Sequence, residues 1–275
     1  MLNDIIALNN RAISFLQQGN RDMDVKAVGY LREALCRLRK RVNHLKENDG
    51  ENKLSSARNS ACDRFSRRPI KRRIRPRATV SSDSEGAENS NNSSIEIRKV
   101  PITKTKCQEK QPSSSDSENL FSFYQHAFML CPTTTGTIST SKKLNNQVYI
   151  VLLYNIGLAL HMEGIGNDHN SKGNLTKAMQ FYELAMSMIA IEWRDIDPDD
   201  LLLLLAVSNN LGHIHSYLLN FTETQKYLVW LRHLMKAYQQ YNKRGSVISD
   251  KDYSFFCTNS LFLEDVGGLC CAPTA

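Results

Sequence analysis

Apolar residues return every three or four positions at both ends of this chain, and the pattern lapses in between. Leu2, Ile5, Leu8, Ala12, Phe15 and Leu16 share one face of a predicted helix, which Gly19-Asn20 interrupts. Val25, Val28, Leu31, Leu35 and Leu38 resume the spacing and predict a second helix from about Asp24. Its last turns carry Arg37, Arg39, Lys40 and Arg41, where cations suit the negative helix end. Four further helices are predicted from about Asn145 to Tyr241. The first holds Val148, Val151, Leu152, Tyr154, Ile156, Leu158 and Leu160, is apolar nearly all round, and belongs at the centre. The second runs from Asn174, a candidate N-cap, to about Trp193. Asp197-Pro-Asp-Asp opens the third, which continues through Leu219, and the last spans about Thr222 to Tyr241.

From Lys46 to about Asn119 the periodicity dissolves, and Ser and Asn crowd residues 81 to 94. Apolar residues there are too sparse to offset backbone entropy, so residues 45–119 are expected to form a disordered insertion. Two apolar islands stand outside the helices, Phe121–Leu130 and Tyr253–Leu263, and both begin aromatic-Ser-Phe-aromatic. They predict a short β-ribbon, or two extended pieces docked on the helices, with two unrelated apolar segments as the remaining option.

The helical stretches also repeat. Leu8, Ala12, Phe15 and Gly19 followed by Ala27, Leu31 and Ala34 match Leu153, Gly157, Leu160 and Gly164 followed by Ala178, Tyr182 and Ala185. Ser208, Gly212, His215 and Leu219 followed by Thr224, Leu228 and Leu231 form a third copy. Small residues at such positions let two helix backbones approach closely. This pattern resembles the tetratricopeptide (TPR) repeat, in degenerate form, with extra residues in the turns of the first two units and Leu219 in place of the turn glycine of the third. The resemblance implies an all-α, TPR-like helix-turn-helix array, an alpha-alpha superhelix with a concave surface for a partner. The units expected are 1–44 (first helix pair), 45–119 (insertion), 120–144 (apolar extended segment and linker), 145–242 (second and third helix pairs) and 243–275 (a C-terminal docking tail).

Asn10, Asn155 and Asn210 each lie two residues before the small position of a first helix. The resemblance places them on the concave face with Ile13, Leu158 and His213, where an Asn amide can hydrogen-bond a bound peptide backbone. Their neighbours are Asn9, Tyr154 and Asn209 rather than Lys or Arg, which speaks against the chaperone-binding "carboxylate clamp" variety.

Charge adds a second feature. The net charge of +7 is concentrated between Arg58 and Arg77. There Arg67, Arg68, Lys71, Arg72, Arg73, Arg75 and Arg77 form a run that suits a nuclear import receptor or nucleic-acid phosphates. Thr79, Ser82 and Ser115 lie in contexts that suit basic- or acid-directed kinases. The seven cysteines form no C-x-x-C pair, and His213 and His215 point away from each other on a helix, so no metal is expected. No nucleophile elbow, P-loop or dinucleotide fingerprint is present, so neither catalysis nor a cofactor is expected. The N-terminus does not look like a signal peptide and the apolar run Leu201–Val207 is too short to cross a bilayer, so a cytoplasmic or nuclear location without membrane is expected. The sequence thus reads as a protein–protein interaction module, an adaptor or scaffold holding a peptide on its concave face. The alternative is a nuclear, nucleic-acid-associated factor acting through residues 58–77.

Overall fold

A computed structural model describes residues 1–19, 21–48, 95–102, 121–132, 142–166, 170–191, 198–242 and 248–267. Among them the chain forms seven helices and one two-stranded antiparallel sheet: α1 (Leu2–Gln17), α2 (Arg21–Asn48), β1 (Ile95–Pro101), β2 (His126–Pro132), α3 (Lys142–Ile165), α4 (Ser171–Ile191), α5 (Pro198–Tyr217), α6 (Phe221–Asn242) and α7 (Asp250–Gly267).

Each helix packs on the next in sequence, and the pairs α1/α2, α3/α4 and α5/α6 are the tightest. The odd-numbered helices also touch one another in series, α1 on α3, α3 on α5 and α5 on α7. They therefore stand side by side as one wall. The small positions do the work expected of them at one instructive site. At Gly157 of α3 an added Cβ would lie 2.8 Å from Cε1 of Tyr182 on α4, so the aromatic ring fills the space that the missing side chain leaves. Ala178 on α4 is also fully buried, but Tyr182 is what closes on the glycine.

Helix ends follow local chemistry. Gly19 takes a positive φ of 64° just beyond α1. At the end of α5 the same left-handed conformation falls on Leu219, φ 58°, with Asn220 N–H donating to the His215 carbonyl and Leu219 N–H to that of Ser216. That is a Schellman closure built on a leucine. Asn220 then caps α6 through its side chain, accepting from Glu223 N–H at 3.4 Å. Ser249 plays that role for α7 by accepting from Asp252 N–H.

Two expectations are corrected. The stretch 45–119 is not uniformly without structure: residues up to Asn48 continue α2, and Ile95–Pro101 is strand β1, with Ile95 and Ile102 buried. The rest of that stretch lies outside the described residues. The apolar island at 121–130 does join a β-ribbon, but with β1, in a register running from Ile95↔Pro132 to Pro101↔His126. The second island is helical instead. It forms α7, which packs on α6 and α5 and buries Phe256. The tail therefore docks as a helix and not as a strand.

The core is continuous from α1 to α7 and takes in Phe121, Tyr124, Ala127, Phe128 and Leu130. Helix α3 is the one described helix long and apolar enough to span a membrane, yet 83% of its apolar window is buried within the protein. Its apolar circumference is accounted for by α2, α4, α5 and β2, all of which pack on it.

Candidate functional site

Residues 121–132 run across the wall of odd helices, and an asparagine from each helix grips their main chain. On α1, Asn10 Nδ2 donates to the Leu130 carbonyl (2.9 Å) and Asn10 Oδ1 accepts from Leu130 N–H (3.1 Å). On α3, Asn155 makes the same pair with Phe128, at 2.9 and 3.0 Å. On α5, Asn210 makes it with Tyr124, at 3.2 and 2.7 Å. On α7, Asn259 makes it with Ser122, at 2.6 and 3.4 Å. A primary amide presents the same donor and acceptor as a peptide unit, so each asparagine stands in for one residue of a neighbouring strand.

Every gripped residue has an even number. Successive residues of an extended strand turn their main-chain groups to opposite edges. The even edge faces the asparagines, and the odd edge faces β1, as in the bond from Ile102 N–H to the Gln125 carbonyl at 2.9 Å. The segment is thus a central strand with a true strand on one side and a ladder of side-chain amides on the other. The spacing is consistent with helix packing. From Ser122 to Leu130 the strand advances roughly 26 Å at about 3.3 Å per residue, in unequal steps of two, four and two residues whose mean, roughly 9 Å, falls within the usual interaxial range.

A second row supports the first. Asn9 Nδ2 donates to the Phe128 carbonyl (3.1 Å) while Asn9 Oδ1 accepts from Asn155 (2.9 Å). Asn209 Nδ2 donates to the Ser122 carbonyl (3.1 Å) and Asn209 Oδ1 accepts from Asn259 (2.7 Å). At the one even position between Ser122 and Leu130 without an asparagine, Tyr154 Oη donates to the His126 carbonyl at 3.1 Å. Asn9, Asn155, Asn209 and Asn210 are fully buried, and no ladder amide is left without a partner. In such surroundings an unmatched amide is costly, so the network fixes the strand's register.

Side chains add selectivity that the main-chain grip lacks. Phe128 meets Tyr154 edge-on at 4.9 Å, and Tyr124 packs on Phe256 at 4.9 Å and Phe255 at 5.5 Å. Phe123 lies over His161 (4.5 Å) and His213 (5.2 Å). Gly212 leaves room for the ring of Phe121, whose Cζ would be 3.3 Å from an added Cβ. His161 Nε2 and His213 Nδ1 are 3.0 Å apart, a distance that requires one nitrogen to donate and the other to accept. Burial pushes both imidazoles below their ordinary range, His213 to about 4, and the neighbouring His213 adds to the effect on His161. Both are therefore neutral at pH 7.

At the α7 end the strand is also held by charge. Asp252, 3% exposed, accepts from Lys99 of β1, from Ser249, and from Tyr124 Oη at 2.7 Å. Burial pushes the Asp252 carboxyl up, but those three hydrogen bonds and the Lys99 charge outweigh it and hold the group below the usual carboxylate range. Burial, aided by Asp252, drives the Tyr124 hydroxyl far above its ordinary value, so it remains a donor.

Of the residues singled out from sequence, Asn10, Asn155 and Asn210 converge on one strand, and His213 touches its aromatic residues. Ile13 and Leu158 are fully buried in the core. Arg67, Arg68, Lys71, Arg72, Arg73, Arg75, Arg77, Thr79, Ser82 and Ser115 lie outside the described residues. Sequence reasoning missed Asn259, the supporting pair Asn9 and Asn209, and the identity of the occupant. Asn259 lacked the signal of the other three, since the residue two positions on is Leu261, large and exposed, and not a small one. Among the described residues no three His, Cys, Asp or Glu side chains are grouped to hold a metal. No family model, no curated protein and no solved structure matches this chain.

Proposed function

We propose that this chain is a protein–protein interaction module, a TPR-like superhelical scaffold that holds an extended segment in a groove by its main chain. The single observation that supports this reading is the ladder of Asn10, Asn155, Asn210 and Asn259, which grips alternate residues of one extended strand. Such a device recognises conformation first and side chains second, as peptide-binding surfaces that use strand-like pairing do. The occupant here is the chain's own residues 121–132. Helix α7, with Asn259 in register, is then the first helix of a fourth, partial unit.

The test weakens the resident segment and offers it back from outside. A full-length chain carrying Tyr124→Ala and Phe128→Ala, checked for helical content by circular dichroism, is expected to bind a labelled peptide of residues 119–132 one to one. Adding Asn155→Ala is expected to weaken that binding about tenfold or more, the loss of a buried two-bond contact. A folded variant that takes up no peptide, or a ladder substitution without effect, would overturn the proposal.

A further inference from the structure

We infer that β1 and residues 121–132 are a removable internal ligand, held at the α7 end by Lys99 and Asp252, and that a partner protein replaces them with an uncharged, aromatic-rich extended segment of its own. The inference rests on the groove reading above and goes beyond it by naming what opens the site and what takes it.

The ladder contacts only main-chain atoms, so any extended chain satisfies it equally well. What the groove selects is read from the resident side chains. It takes bulky aromatic residues at Tyr124 and Phe128, a small one at the fully buried Ala127 and an aliphatic one at Leu130. Phe121 and Phe123 add two aromatic contacts against Gly212 and the His161–His213 pair. None of residues 121–130 is Asp, Glu, Lys or Arg; the Tyr124 hydroxyl donates to Asp252 of the wall, and Asp250 and Lys251 line the surface beside the exposed Ser122.

The attachment of the segment is uneven. Toward α1 and α3 it is gripped by asparagines and apolar packing alone. Toward α7 the ion pair of Lys99 with Asp252 is added to the Asn259 and Asn209 bonds and to the packing of Tyr124 on Phe255 and Phe256, and Lys99 is 33% exposed. That end also rests on the last described helix of the array, which packs on α6 and only lightly on α5. Among the described residues no helix lies between α2 and α3, so β1 and the gripped strand form one excursion of the chain between two helices. Release of Lys99 frees β1 and the Ser122–Tyr124 end first, and an incoming strand pairs with Asn259 and Asn210 before advancing toward Asn155 and Asn10. A tethered occupant acts at millimolar effective concentration, so a partner competes only when this end has opened.

The experiment uses the full-length chain and its Lys99→Gln variant. Native-state hydrogen exchange should show the Ser122 and Tyr124 amides opening about tenfold or more often than the amides of α3 in the unsubstituted chain. Lys99→Gln should raise that opening and tighten the binding of the labelled 119–132 peptide about tenfold, while a scrambled peptide stays unbound. The inference is overturned if the Tyr124 amide exchanges only together with α3, or if Lys99→Gln binds the peptide no more tightly than the parent. It is also overturned if Lys99→Gln dimerises without peptide uptake, which would make a second copy the occupant. If the Tyr124→Ala, Phe128→Ala chain binds peptide while Lys99→Gln does not, the groove stands and the ionic closure falls; if neither binds, both readings fall.

Discussion

Replacing Asn155 by Leu removes the central rung of the ladder while nearly preserving volume. In the native site Asn155 satisfies the Phe128 N–H, shares the Phe128 carbonyl with Asn9, and donates to Asn9 Oδ1. The leucine leaves the Phe128 carbonyl with its Asn9 partner but strands two groups, the Phe128 N–H and Asn9 Oδ1. Each buried, unmatched polar group costs about 1–3 kcal/mol, so the expected loss is about 2–6 kcal/mol, a large share of the stability of an ordinary domain. Water cannot make up the deficit because Asn9, Asn155 and Phe128 are all fully or almost fully buried. Ser14→Ala serves as the comparison, since it removes one exposed hydrogen bond, from the Ser14 hydroxyl to the Asn10 carbonyl, and should cost under about 1 kcal/mol. Urea denaturation followed by circular dichroism gives both numbers. If Asn155→Leu costs no more than Ser14→Ala, the ladder does not carry the energy assigned to it.

Gly157→Ala sets a methyl group 2.8 Å from the Tyr182 ring and should cost about 1–3 kcal/mol by thermal or urea unfolding. Leu219→Gly should raise stability by about 0.5–1 kcal/mol in the same assay, because Leu219 bears a positive φ and, at 72% exposed, buries little. Stability should fall as pH drops through 6.5 toward 4: the unfolded chain protonates its imidazoles at their ordinary value, whereas the fold holds His161 and His213 neutral. For His213 the difference between 6.5 and about 4 amounts to roughly 3 kcal/mol, and a pH series of urea midpoints should show the slope diminished in His213→Asn.

The helices were legible because their signals are local. Leu2, Ile5, Ala12 and Leu16 lie on one face, Gly19 ends α1, and Pro198 with its acidic neighbours begins α5. Asn10, Asn155 and Asn210 could be singled out because each stands two residues before Ala12, Gly157 or Gly212. Strand β1 was not legible. Its residues, Ile-Glu-Ile-Arg-Lys-Val-Pro, adjoin a Ser- and Asn-rich stretch, and what orders them is pairing with a strand more than twenty residues away in sequence. The α7 segment was misread because aromatic residues favour strands on average, while Ser249 as cap and Asp250 and Asp252 in the first turn are helix-starting signals that the aromatic echo obscured. The occupant of the groove could not be inferred at all from local pattern, since a main-chain grip leaves no signature in the side chains it holds.

The central claim, that asparagines on successive helices hold residues 121–132 by their main chain, is tested most directly by nuclear Overhauser contacts in solution. The account predicts contacts from the side-chain amide protons of Asn10, Asn155, Asn210 and Asn259 to the backbone amides of Leu130, Phe128, Tyr124 and Ser122 respectively. Random-coil shifts for residues 121–132, with none of these four contacts in a protein whose helices are formed, would contradict it.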